Sequence, residues 1–199
     1  MAAIRHQGML LACAIFAWPA ASQAQFDLSS FDPAAMSVLA EDVVLRAPDA
    51  DMDRVFKSVH AAAQHDGDAR ALCALFEPDA DRSVAGLQRA ANGLGEDSRQ
   101  RFADALAMVA VSGFQSPRQP YDAAAAQQVI KSAGATAMFL NDGFTAGLAA
   151  TGTDAASRDA RCRSFRWLVD ALDGFEPSDR AAATRYLLLE GLTLQRNML

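Results

Sequence analysis

Residues 32–67 read DPAAMSVLAEDVVLRAPDADMDRVFKSVHAAAQHDG, and this stretch decides the fold class. Asp32-Pro33 sets a capping carboxylate before a proline whose fixed φ suits the first helical position, so a helix opens here. Met36, Leu39 and Val43 recur at three- and four-residue spacing and predict its buried face, and the helix ends near Arg46 and Pro48. Asp49 is then placed to cap a second helix over about 50–65. Met52, Val55, Phe56, Val59 and Ala63 fall on one stripe of that helix, and His65-Asp66-Gly67 closes it.

The same period continues to the C-terminus. A short helix is expected to Phe76, then one from Asp81 to about Ala91 that stops at Asn92-Gly93-Leu94-Gly95. Ser98 caps the next helix in this reading, with Phe102, Leu106, Val109 and Gly113 on one side. Ser112–Tyr121 contains Gly113, Pro117 and Pro120 and predicts an extended connection. Beyond it, helices are expected from about Asp122 to Ser132, from Ala135 to Ala150 with an interruption at Asn141-Asp142-Gly143, from Asp154 to Leu172, and after Pro177. Gly143 and Gly147 lie four apart and would let a neighbouring helix approach closely. Alternating or β-branched runs are almost absent, so we predict an all-α, single-domain, irregular bundle of eight or nine helices.

The residues before this stretch have another purpose. MAAIRHQGMLLACAIFAWPAASQAQ carries Arg5 and His6 in a short head, an apolar run from Met9 to Trp18, Pro19, and small residues at Ser22 and Ala24. That is the layout of a secretory signal peptide over residues 1–24, so the expected mature chain is 25–199 and starts at Gln25. Leu10-Leu11-Ala12-Cys13 also looks like a lipobox, which would give a lipid-anchored form through Cys13. The short stretch before Cys13 and the apolar run continuing past it favour ordinary cleavage. A periplasmic location follows, with secretion as the alternative.

Composition narrows the function further. The chain has 199 residues, is 51% hydrophobic and 21% charged, and carries a formal charge of −6 from 18 Lys and Arg against 24 Asp and Glu. No basic run is present to neutralise phosphates, so nucleic acid is not an expected partner. No segment of the mature chain is long and apolar enough for a transmembrane helix. Cys73 and Cys162 are an even pair in an exported chain, for which a disulfide is the default, two separate buried thiols being the alternative.

Candidate chemistry is sparse. His60 and His65 are five apart, about 140° around a helix, and cannot easily share a metal ion. Asp49, Asp51 and Asp53 have the spacing of a calcium loop, but Arg54 stands where glycine is required and His60 where the bidentate glutamate belongs. Acidic residues in a first helical turn explain them better, and Asp66, Asp68, Asp79 and Asp81 are read in the same way. No nucleophile elbow or phosphate-binding loop occurs, and no cofactor or metal is expected. Glu41, Glu77, Glu96, Glu176 and Glu190 leave room for a carboxylate-based glycan enzyme, and a small apolar-ligand carrier is a further alternative.

Two features suit a partner surface. Arg158, Arg161, Arg163 and Arg166 surround the apolar stripe Cys162, Phe165, Val169 and Leu172, although Asp159–Arg163 and Arg166–Asp170 are spaced to pair within the helix. Phe114 and Tyr121 flank the proline-containing connection, either to meet a partner or to cover the core. The expectation drawn from these is an exported, disulfide-stapled protein-binding module, for example an inhibitor or immunity protein for a secreted bacterial effector. Its contact candidates are Phe114, Tyr121, Arg158 and Arg161, and its acidic helix faces would meet a basic protein partner. Partner identity and oligomeric state are not set by the sequence.

Overall fold

The computed structural model describes residues 33–81 and 83–196. The expected signal peptide, the expected cleavage point before Gln25, and Cys13 lie outside these residues. Among those described, the chain forms α1 (Pro33–Arg46), α2 (Asp49–Ala63), α3 (Asp66–Cys73), α4 (Val84–Asn92), α5 (Glu96–Gln115), α6 (Ala123–Leu140), α7 (Phe144–Ala149), α8 (Ala155–Asp173) and α9 (Pro177–Arg196). A 3₁₀ turn over Ala74–Phe76 extends α3. No strand occurs among the described residues, so the all-α reading holds.

Helices α2 and α9 pack together at the centre, and the core lies on both sides of them. On one side Val44, Ala47, Met52, Val55, Ala105, Val109 and Ala181 join α1 and α5 to the central pair. On the other, Phe56, Ala63, Ala133, Val169, Leu172 and Ala183 join α6 and α8. The α2 stripe is therefore buried as its spacing predicts, and about half of the buried apolar residues are alanine. Small side chains let helix axes come close, which makes the packing tight but leaves little large apolar surface inside.

Close approach explains two glycines. A Cβ on Gly113 would lie 2.6 Å from the Val43 carbonyl oxygen, so α1 crosses α5 at that point. One on Gly147 would lie 2.1 Å from Ser164 Oγ, so α7 rests directly on α8, as the Gly143/Gly147 spacing suggests. Gly143 acts differently. Its φ of +90° makes the turn between α6 and α7, which fulfils the expected interruption at residues 141–143.

Several local expectations are corrected. Asp49 is the first helical residue of α2 and does not cap it, the N-cap position being Pro48. α4 starts at Val84 with Ser83 as its cap, its Oγ accepting from the Gly86 N–H, where Asp81 was expected to open it. α5 starts at Glu96, two residues before the expected cap Ser98. α6 runs unbroken through residues 132–135, where a break was expected. Gly134 is tolerated there at the usual mid-helix cost of about 1 kcal/mol, and Asp122 caps that helix by accepting from the Ala124 and Ala125 N–H groups. On α1 Val44 and Leu45 are buried, and Ala47 just after it, while Met36 and Leu39 are exposed; on α5 Val109 and Gly113 are buried as expected, but Ala105 is buried in place of Leu106, which is exposed.

Cys73, the last residue of α3, is bonded to Cys162 in the middle of α8, with Cα atoms 5.3 Å apart. The bridge closes an 89-residue separation. Loop-closure entropy of that size corresponds to about 4–5 kcal/mol. We predict that thiol titration of the native protein finds no free cysteine in the mature chain. Cys73→Ser should lower the unfolding free energy in urea by about 3–5 kcal/mol; titratable thiols, or equal stability with and without reductant, would refute this.

Candidate functional site

Most of the chain's charge is used internally, so the site is found by removing what the fold consumes. The three aspartates at the start of α2 each answer a different cation. Asp49 accepts from Arg185 Nη1 at 2.9 Å, Asp51 from Arg54 at 2.6 Å, and Asp53 from Arg180 Nε at 2.7 Å and Lys57 at 2.8 Å. Their oxygens diverge rather than converging on one ion. Burial works to raise the Asp53 pKa, but the hydrogen bonds from Arg180 and Lys57 outweigh it and hold the carboxyl below its ordinary value.

Arg180 and Arg185 carry the interior polarity, and sequence reading missed both. Arg185 is 2% exposed; its Nε donates to the Val44 carbonyl and its Nη2 to the Ala47 carbonyl, at 3.2 and 2.6 Å. These acceptors lie at the C-terminal end of α1, where helix carbonyls have no intrahelical partner. Arg180 repeats the pattern at the end of α8, donating to the Asp173 and Phe175 carbonyls, and its guanidinium lies 5.6 Å from the centre of the Phe56 ring. The bond to Asp53 raises the Arg180 pKa, which keeps the group charged. Their spacing gave no signal, because Arg180 and Arg185 are five apart, about 140° around α9, and do not fall on one stripe.

Asp68 is a second missed group. It is buried, accepts from the Gly95 N–H at 2.6 Å and from Ser98 Oγ at 2.6 Å, and so caps α5 from another helix. Those two hydrogen bonds depress its pKa. The residue expected to cap α5, Ser98, is instead a donor to this carboxylate and an acceptor from Arg101.

The arginines of α8 face other elements. Arg158 bonds Asp79 at 2.8 Å and the Thr153 carbonyl; Arg161, mostly buried, pairs with buried Glu77 and donates to the Ala150 and Gly152 carbonyls. Arg166 bonds Asp66 on α3 at 2.8 Å, not Asp170, which instead accepts from Gln64 and faces His60 Nε2 at 3.3 Å. His60 also stacks on Phe56, with ring centres 6.2 Å apart. Arg158 and Arg161 thus fasten the 77–79 and 150–153 segments, and neither guanidinium is unpaired.

Phe114 and Tyr121 part company. Phe114, in the last turn of α5, is 62% exposed. Tyr121 is half-buried, and burial, with Tyr186 and Glu190 nearby, pushes its phenol pKa up. The connection between them is restrained by α1, since the Gln119 N–H donates to the Leu45 carbonyl at 2.9 Å and Arg46 to the Ser116 carbonyl at 3.2 Å. Met108 and Val111 precede Phe114 at three-residue intervals and are exposed with it. No charge occurs over residues 105–117, whereas the earlier turns of α5 carry exposed Asp97 and Asp104 on the same outer side.

Two surface depressions border α3. One of about 300 Å³ lies against α3 and α4, lined by Ala71, Ala74 and Ala90, with Asp81 and Arg89 paired at it. The other, about 190 Å³, lies between Asp66, Arg70, Asp159, Arg163 and Arg166 beside Cys162. Neither is lined by a glutamate. Among the described residues no group of three His, Cys, Asp or Glu side chains is placed to hold a metal ion, and no helix is long and apolar enough to cross a membrane. No protein-family model matches the chain, and neither does any curated protein or solved structure.

The Asp68 cap gives a prediction with a definite sign. Its folded pKa lies below the ordinary value of 3.8, so its contribution is present above that value and is lost as pH falls through the folded pKa. Asp68→Asn is expected to cost about 1–3 kcal/mol at neutral pH, from a weakened cap and an imperfectly paired Ser98. The gap from wild type should narrow as pH falls below 3.8 and through the depressed folded pKa. An equal gap in urea titrations at neutral and strongly acid pH would contradict the assignment.

Proposed function

We propose that the chain is an exported, disulfide-stapled helical module that binds a basic protein partner, acting as an inhibitor or immunity protein toward a secreted bacterial effector. The mature form begins at Gln25 and works in the periplasm of a Gram-negative bacterium. The observation that carries this reading is the outer side of α5, where exposed Asp97 and Asp104 lead into exposed Met108, Val111 and Phe114. An apolar anchor beside a charged flank is the arrangement by which interfaces combine affinity with orientation.

The restrained 116–122 connection adds support, because a loop already tied to α1 loses little entropy when it is covered. The arginines of α8 support it in another way: with Arg158 and Arg161 committed to Asp79 and Glu77, the acidic flank of α5 is the better candidate for the charged part of the contact.

The test is cross-linking in the host periplasm, followed by mass spectrometry, on wild type, Phe114→Asp and Asp104→Lys. One basic protein captured in stoichiometric amount, lost with Phe114→Asp and weakened at least about tenfold with Asp104→Lys, is the expected result. A partner indifferent to both substitutions, no partner at all, or glycan cleavage by the purified chain would each overturn the proposal.

A further inference from the structure

The depression of about 190 Å³ is a groove between α3 and α8, bordered by Asp66 and Arg70 from the first and by Asp159, Cys162, Arg163 and Arg166 from the second. Arg166 is held by Asp66 at 2.8 Å. Arg70 and Arg163 differ from it: both are exposed, and neither has a hydrogen bond or ion pair among the described residues. Every other described arginine except Arg118 is bonded to a carboxylate, hydroxyl or carbonyl oxygen. Asp159, spaced to pair with Arg163, is also unpaired among the described residues. The groove thus holds two guanidinium groups against one carboxylate that the fold does not consume, a local positive excess in a chain of formal charge −6.

The disulfide stands at the wall of this groove, and its two ends are not equivalent. Cys162 is partly exposed and lines the depression; its Sγ lies 3.7 Å from the carbonyl oxygen of Ala69, which lines it too. Cys73 is 7% exposed and is not part of the lining. A disulfide is opened by a thiolate that attacks one sulfur and expels the other, so access decides which sulfur is attacked. Fixed positive charge beside that sulfur raises the local concentration of an anionic attacker.

We infer that the α3/α8 groove is a thiol-exchange site, where a small anionic thiol is drawn in by Arg70 and Arg163 and attacks Cys162. The new bond joins the incoming sulfur to Cys162 Sγ. The Cys73–Cys162 bond breaks, its electron pair leaves on Cys73, and that thiolate takes a proton from water. One disulfide replaces another, with no net oxidation. Cys73 is buried at the C-terminal end of α3, where helix carbonyls disfavour a negative charge, so its thiolate returns readily to Cys162 and the adduct is reversible. The inference is independent of the reading of α5, since it uses different residues and a different ligand.

The experiment treats the exported, oxidised chain, without denaturant, with mercaptoethanesulfonate, mercaptoethanol and cysteamine, which are anionic, neutral and cationic. Each rate is divided by that of the same thiol on a small neutral disulfide, and peptide mapping after acid quenching locates the adduct. Mercaptoethanesulfonate is expected to react at least about fivefold faster than cysteamine on this scale, against the net charge of the chain, and to be found on Cys162. Arg70→Gln combined with Arg163→Gln should bring the preference below about twofold, and Asp159→Asn should increase it. Circular dichroism confirms that each variant is folded, and in wild type itself the preference should shrink as salt is raised to about 1 M. A bridge that no thiol opens while the chain is folded, an adduct on Cys73, equal normalised rates, or a preference that survives the arginine exchanges would overturn the inference.

Discussion

Two guanidinium groups of α9, buried among the carbonyls of other helices, are the constraint on which the rest of this structure depends. A helix that ends inside a protein leaves its last carbonyls without donors, and each such group costs free energy unless something reaches it. α1 ends at the Pro48 corner and α8 at the turn before Pro177, and in both places an α9 arginine supplies the donors. The same arginines then bond Asp49 and Asp53 on α2. One helix therefore fixes the ends of two others and its own register against a third. The disulfide, the Asp68 cap and the Arg161–Glu77 pair extend that frame to α3, α5 and the 77–79 segment.

The second organising fact is the size of the core side chains. Alanine fills so many inward positions that helices pack close, and the larger apolar residues are displaced to the outside. Phe114, Phe139, Met108 and Leu148 are exposed for this reason. An exposed apolar side chain on its own has no functional weight, since much of any protein surface is apolar. Grouping gives it weight on α5, where three such residues continue an acidic flank.

The helical class and most helix ends were legible because the signals for them are local. Pro33, Asp122, Asp154 and Pro177 act through their own φ angles or through backbone groups a few residues away, whereas Gly67, expected to close α2, lies inside α3. Burial was legible on α2, where the periodic residues are large. On α1 and α5 it held at Val43, Val109 and Gly113 and failed at Met36, Leu39 and Leu106, where close packing selected Val44, Leu45 and Ala105 instead. The break expected between Ser132 and Ala135 does not occur, because the tertiary contacts that hold α6, Gly134 included, are not visible in the sequence. Arg166 and Asp68 were assigned local partners and have remote ones, since spacing on one helix says nothing of what lies across from it. Of the four contact candidates, Phe114 is the one the structure leaves open to a partner; Tyr121 is half-covered, and Arg158 and Arg161 hold the fold's own segments.

The most direct test of this account is a double-mutant cycle on Asp53 and Arg180, read by urea unfolding of the oxidised protein. Each single alanine substitution leaves a charge behind in a buried site, so each should cost about 3 kcal/mol or more. Removing both should cost much less than the sum of the two, with a coupling of at least about 1.5 kcal/mol. Substitutions that add to within about 0.5 kcal/mol would mean that the pair does not act as a unit and that α9 is held against α2 by apolar contact alone.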